Sequence, residues 1–277
     1  MNKFLLVLLF CLPVSLFSQE FNVISYNIRL NTSHDGENAW PNRSKMVSGL
    51  LRFHDADIFG LQEALYEQIE DLENDLEDFA RIGVGRDDGK KGGEFCPVFY
   101  KPSKLILLED GNFWLSETPE KPGLGWDAAC NRLVTWGLFH SKVTGKQFLV
   151  LNTHLDHKGT EARKNSAILI KERIKEMTYN KDLPVILTGD FNLTPDEEPI
   201  LLIKNFLKDS REISYEPPYG PEGTFNRFKI DSDLEKRIDY IFINRKVKIL
   251  KYATLTDMKN KRFPSDHLPV FVKLRLN

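Results

Sequence analysis

Asp190 and Asn192 are the residues whose placement first suggests chemistry. Val185, Ile186 and Leu187 form an apolar run between Pro184 and Gly189 and read as a buried strand. Asp190 and Asn192 stand two apart at its exit, where an extended backbone sends both side chains to the same side. Taken alone the pair serves equally well as a turn, because Asp and Asn at strand ends bond their own backbone. The same residue types recur at the ends of other strand-like runs, as Asn27, Glu63, His154, Asp239, and Asp266 with His267. Collected at one sheet edge, they supply carboxylates, amides and imidazoles. Such an oxygen-rich set suits Mg²⁺ or Mn²⁺, whereas zinc favours more His and Cys. Singly, each has a structural reading too: Asn27 as a turn cap, His154 as a core histidine, Asp239 as a partner of Arg237.

The elements that must position these residues are legible from periodicity. Residues 21–28 read as a strand with apolar side chains on both faces, followed by a polar loop, 31–42, that carries Trp40. Met46, Val47, Leu50 and Leu51 fall at helical spacing within 43–54, and a strand over 57–61 delivers Gln62 and Glu63. Residues 64–79 form an acidic amphipathic helix whose carboxylates read as a solvated face and not as a metal site. Strand-like runs follow at 94–101, 104–116, 133–143 and 146–154, with a hairpin turn at Thr144 and Gly145. A helix over 161–177 leads into the Asp190 strand, another over 195–207 follows it, and strands are expected at 238–244, 247–256 and 268–275. Strands in succession with helices interspersed predict two packed sheets with helices outside, an α/β sandwich.

Length and composition bound the rest. The chain has 277 residues, 41% of them hydrophobic, and its Gly and Pro are spread along it, which fits a globular protein and excludes a disordered or fibrous one. No repeat or linker divides it, so residues 19–277 are expected to form a single domain. Residues 1–18 place Lys3 before an apolar run from Phe4 to Phe17, broken by Pro13, in the layout of a secretory signal peptide. The run is shorter than the ~20 residues a membrane span requires. An exported protein, periplasmic or secreted, with no stable membrane insertion is therefore expected, and a monomer. Cys96 and Cys130 remain after cleavage and form either a disulfide or two free thiols. The formal net charge of -2 argues against gripping long DNA through its phosphates.

In order along the chain, YNIR (26–29), GLQE (60–63), NTHLDH (152–157), GDFN (189–192), RIDYIF (237–242) and SDHLPV (265–270) resemble the motifs of the endonuclease/exonuclease/phosphatase family. The resemblance spans roughly residues 20–276. It implies a four-layered α-β-β-α sandwich and Mg²⁺-dependent hydrolysis of a phosphate ester. Glu63, with Asn27 nearby, would hold the metal, with Asp266 beside or behind it. Asp190 would orient or deprotonate the attacking water, and Asn192 would bind that water or a phosphate oxygen. His267, its proton state fixed by Asp239, would contact the scissile phosphate from one side and His154 from the other. By the same resemblance Glu94 pairs with His154, and Arg132 matches a phosphate-contacting arginine of the deoxyribonuclease branch. These roles agree with the chemistry, since phosphoryl transfer needs charge neutralisation more than covalent help.

Departures from that branch bear on substrate. Where the deoxyribonuclease places a minor-groove arginine this chain has Leu65, and where it has a tyrosine this chain has Gly92. Loops carrying Trp40 and Trp126 are instead candidates to wall a pocket for a smaller ligand or a single-strand end. Arg163 is a weaker candidate, with a surface ion pair as its other reading. The leading expectation is a nuclease-like phosphodiesterase acting on short or single-stranded nucleic acid or on a small phosphorylated molecule. The alternative is a phosphomonoesterase for a phosphorylated sugar, inositol or lipid head group. A catalytically dead secreted binding protein would show loss of Glu63, Asp190, Asn192, Asp239 or His267, and all five are present.

Overall fold

The computed structural model describes residues 20–277, so the expected signal segment, 1–18, lies outside the described residues. Two six-stranded sheets pack face to face. The first has the order β11 (Val247–Thr254), β12 (Val270–Leu276), β1 (Glu20–Asn27), β2 (Ile58–Gln62), β4 (Val98–Tyr100), β3 (Ala80–Ile82). The second runs β5 (Leu105–Trp114), β6 (Leu133–Ser141), β7 (Gln147–His154), β8 (Val185–Asp190), β10 (Asp239–Ile243), β9 (Lys208–Asp209). Each sheet has one parallel pair at its centre, β1 with β2 and β7 with β8. A parallel pair needs a crossover, and α1 (Ser44–Phe53) and α3 (Thr160–Met177) provide it on the outer faces. The parallel pairs also carry the strand ends of the two halves to one rim.

Alternation along the strands explains the layering. Phe21 and Val23 enter the core between the sheets, while Ile24 and Tyr26 pack outward against α1 and α2 (Tyr66–Asp75). In β8, Ile186 faces the other sheet, and Val185 and Leu187 face α3 and α4 (Glu198–Lys204). Both faces of each sheet are thus covered, giving the expected four-layered sandwich.

Beneath the rim, apolar packing gives way to a polar layer. Asn152 donates to the carbonyls of Leu61 (2.7 Å) and Pro97 (3.0 Å) and accepts from Gln62 Nε2 (2.7 Å) and Thr188 Oγ1 (2.9 Å). Every hydrogen-bonding site of that amide is filled, and partners from both sheets fill them, so it fixes the register of one sheet against the other.

Several elements are shorter than periodicity predicts. The 64–79 helix ends at Asp75, where Leu76 turns inward as the cap, and the 195–207 helix holds only Glu198–Lys204. Cys96 and Cys130 are separate thiols. Trp40, expected to wall a pocket, is instead 2% exposed: its ring packs under the first sheet and its indole N–H donates to Asp71 (2.7 Å).

Candidate active site

The rim opens into a cleft of about 480 Å³ lined by Arg29, Glu63, Arg86, Glu94, Arg132 and His154, with Asp190, Asn192, Phe225, Asp266 and His267 among its other walls. The strand-end residues converge here, but from two sheets and not from one edge. Asn27 and Glu63 come from β1 and β2, whereas His154, Asp190 and Asp239 come from β7, β8 and β10. Asp266 and His267 precede β12 instead of ending a strand. The backbone turns sharply at these exits: Arg29, Glu63 and Asn192 all adopt left-handed conformations (φ 56°, 61° and 53°). Such conformations are costly for residues with a Cβ and concentrate where surrounding structure enforces a site.

Asn27 joins the two halves. Its amide donates to Glu63 Oε1 (3.0 Å) and Asp190 Oδ2 (2.9 Å), and its Oδ1 accepts from the Arg29 N–H (3.0 Å). Asn27 therefore bridges two carboxylates, one from each half of the sandwich. Burial pushes Glu63 up, but the Asn27 amide, His267, Arg29 and the Leu30 N–H outweigh it and hold the carboxyl below its ordinary value. Asp190 goes the other way. Its burial and the neighbouring Asp239 push it up to about 7, against the pull of His267, Asn27 and the Asn192 N–H. Burial also raises Asp266, and Glu63 adds to that rise.

The two histidines are held in opposite states. His154 is buried beside the Arg132 and Arg86 guanidiniums, and both effects drive it well below the ordinary imidazole value. Its Nε2 accepts from Asn192 Nδ2 (2.9 Å), an amide that also donates to Leu155 O (3.1 Å), so the neutral ring carries its proton on Nδ1. His267 is equally buried, yet Asp239 and Asp190 overcome the burial and raise it well above the ordinary value. Its Nδ1 donates to Asp239 Oδ2 (2.9 Å), which also accepts from Thr224 Oγ1 (2.6 Å). The imidazolium Nε2 then faces Asp190 Oδ2 at 3.8 Å. Asp239 serves His267 and not Arg237, whose partner is Asp209 (2.7 Å).

Beyond His154 lies a cationic wall. Glu94 bonds Arg86 (2.6 Å), and its Oε2 stands 4.0 Å from His154 Nδ1, so the expected Glu94–His154 pair is a near approach and not a hydrogen bond. Arg132 reaches His157 Nδ1 (3.1 Å). Trp126, the second aromatic expected at the site, has its backbone N–H tied to the Glu117 carboxylate and does not line the cleft. Arg163 donates to Asp156 O (3.3 Å) behind the wall. Sequence reasoning missed Arg86, Phe225 and Lys236, which lie in loops without a pattern, and His157, which the NTHLDH motif contains. It also missed Arg43, whose buried guanidinium binds the carbonyls of Ile28, Arg29 and Pro264 and so ties the turn after β1 to the segment carrying Asp266.

Ligand atoms of Glu63, His154 and Asp190 lie within 4.8 Å of one another. With His154 Nε2 engaged by Asn192, the oxygens of Glu63 and Asp190, with Asp266 on the same cleft, are the groups open to a hard cation. Crowded carboxylates that raise one another's proton affinity are what a divalent cation relieves, so the residues fit one.

Comparison with known proteins agrees with this geometry. Residues 24–267 match the profile of the Endonuclease/Exonuclease/phosphatase family. A family protein from Bacteroides thetaiotaomicron superposes with a TM-score of 0.90 at 41% identity, covering 94% of this chain and 96% of that one. A mannosyl-6-phosphatase from Bacteroides thetaiotaomicron is also 41% identical, with a TM-score of 0.88 over 92% of this chain and 99% of that one. The Ccr4 exoribonuclease subunit of Mycosarcoma maydis is 22% identical over 90% of this chain, which spans about half (49%) of that longer protein.

Proposed function

Because this chain belongs to the endonuclease/exonuclease/phosphatase family and hydrolyses phosphate esters, we propose that its substrate is a phosphate monoester of a carbohydrate, cleaved with the help of Mg²⁺ or Mn²⁺. The observation that carries this reading is a cleft of about 480 Å³ with the Arg86 and Arg132 guanidiniums in its wall, in a chain 41% identical to a mannosyl-6-phosphatase along nearly its whole length. A cleft of that volume with guanidiniums in its wall suits a small dianionic substrate. The phosphodiesterase expectation becomes the second reading, favoured by the exoribonuclease relative.

The residues divide the work as follows. Asp190, poised near neutrality, accepts the proton of the attacking water, which is where a general base is most effective. His267 donates from Nε2 to a phosphoryl oxygen as charge shifts onto it, and Asp239 keeps that ring protonated and aimed. Asn192 locks neutral His154, whose ring faces the phosphoryl group from the opposite side. Arg86 and Arg132 compensate the dianion. A divalent cation at Glu63 and Asp266 would supply Lewis acidity toward the phosphate.

The test is release of inorganic phosphate from hexose 6-phosphates, compared with bis-p-nitrophenyl phosphate and single-stranded DNA, each with Mg²⁺ or Mn²⁺. The monoester should lead in kcat/KM by about tenfold or more, which is about 1.4 kcal/mol of transition-state preference. Diester or DNA hydrolysis leading by that margin would replace this reading with the second.

A further inference from the structure

Behind Phe225 the cleft continues into a second pocket of about 330 Å³, and Phe225 and Lys236 line both. Resting on the carbohydrate monoester reading, we propose that this pocket is a subsite for the sugar units beyond the phosphorylated one, so that the preferred substrate is a phosphorylated oligosaccharide.

Three observations carry the proposal. The first is that the pocket is preformed. The loop over 223–236 is braced by N–H to carbonyl bonds from Gly223 to Leu234 (2.7 Å) and from Thr224 to Lys236 (2.8 Å). Asn226 and Arg227 both donate to Asp266 O (2.8 and 3.1 Å), which ties the pocket to the catalytic loop. Arg227, Phe228 and Leu234 are held in left-handed conformations, and at Gly223 a Cβ would collide with the Leu234 carbonyl. A ligand entering it therefore orders little backbone.

Charge is the second. Arg227, Lys229 and Lys236 are matched by Asp231, Asp233 and Glu235, so the lining has no net charge. Among the described residues, no ion pair joins these side chains to one another. Charged donors and acceptors in equal number, with no ion pair among them and with Arg227 lying over the Phe225 ring, suit a neutral polyhydroxylated chain. A nucleic-acid strand needs an excess of cations.

The third is position. Phe225 stands against His267, ring centroids 4.9 Å apart, so the pocket begins beside the imidazolium that faces the phosphate. A glycan phosphorylated on a terminal unit reaches it without turning back.

The experiment measures kcat/KM for a hexose 6-phosphate, a trisaccharide bearing that phosphate on its terminal unit, and a 5′-phosphorylated trinucleotide. It uses the full mature chain and the surface variant Lys229→Ala/Asp231→Ala/Asp233→Ala. The trisaccharide should exceed the hexose phosphate by about tenfold, through KM, and the variant should lose that advantage while turning over hexose phosphate at the original rate. Equal values in the original chain, a preference that survives the variant, or a preference for the trinucleotide would each overturn the subsite. Hexose phosphate turnover without length dependence leaves the monoesterase reading intact, whereas no turnover of either sugar phosphate removes both.

Discussion

Asp190 and His267 share one buried spot and are forced into complementary proton states, with the carboxyl raised to about 7 and the imidazole raised well above its usual value. Replacing Asp190 with Asn should lower kcat on the order of 10²–10⁴-fold without unfolding the protein, checked by steady-state rates beside circular dichroism. The same residue makes a prediction about stability. The folded value of Asp190 lies above the ordinary carboxylate value of 3.8, so the native state keeps a proton that the unfolded chain has released. That contribution is whole below the ordinary value and is lost as pH climbs toward the folded value near 7. Urea midpoints taken with EDTA between pH 4 and pH 7 should therefore fall more steeply for the original chain than for Asp190→Asn. Parallel curves would show that the carboxyl is not perturbed.

Among elements, the polar layer under the rim has the largest consequence for the site. Gln62, Asn152 and Thr188 are each fully buried and belong to β2, β7 and β8. Gln62 immediately precedes Glu63, while Asn152 and Thr188 stand two residues before His154 and Asp190, on the same strand face but one pleat deeper between the sheets. They align the two sheets, and the residues that follow them line the cleft. Asn152→Ala takes the amide donor from the Leu61 carbonyl and the shared acceptor from Gln62 and Thr188, while the Pro97 carbonyl keeps the Leu61 N–H, so it should cost about 1–3 kcal/mol. Urea denaturation measures this, and a loss below about 0.5 kcal/mol, the usual range for a surface substitution, would show that the layer does not hold the sheets.

At the scale of the whole molecule, the rim brings like charges from the two halves of the sandwich together. Glu63 and Asp266 come from the first sheet and its approach, Asp190 and Asp239 from the second, and the Asn27 amide and the His267 ring lie among them. A divalent cation should hold the halves together, raising the melting temperature by the equivalent of about 2.7 kcal/mol at 100 times its Kd. Glu63→Gln should lose most of this shift, as read by thermal unfolding across a Mg²⁺ or Mn²⁺ titration with no substrate present. An identical shift in the variant would place the cation elsewhere.

By itself the sequence determined the layered fold and most of the site, because both are written in local patterns. Period-two and helical spacing mark the buried faces, and Asp190, Asn192, Glu63, His154, Asp239 and His267 each follow a recognisable strand or motif. Tertiary structure decided what those patterns leave open. It buried Trp40, turned the Asn27 amide toward two carboxylates, and gave Glu94 to Arg86. It also gave two histidines opposite charge states, since a proton's location depends on which charges the fold brings near it, and those charges lie far away along the chain. Arg86, Phe225 and Lys236 join the cleft lining for the same reason: they come from loops whose partners are chosen by packing and not by neighbours in sequence.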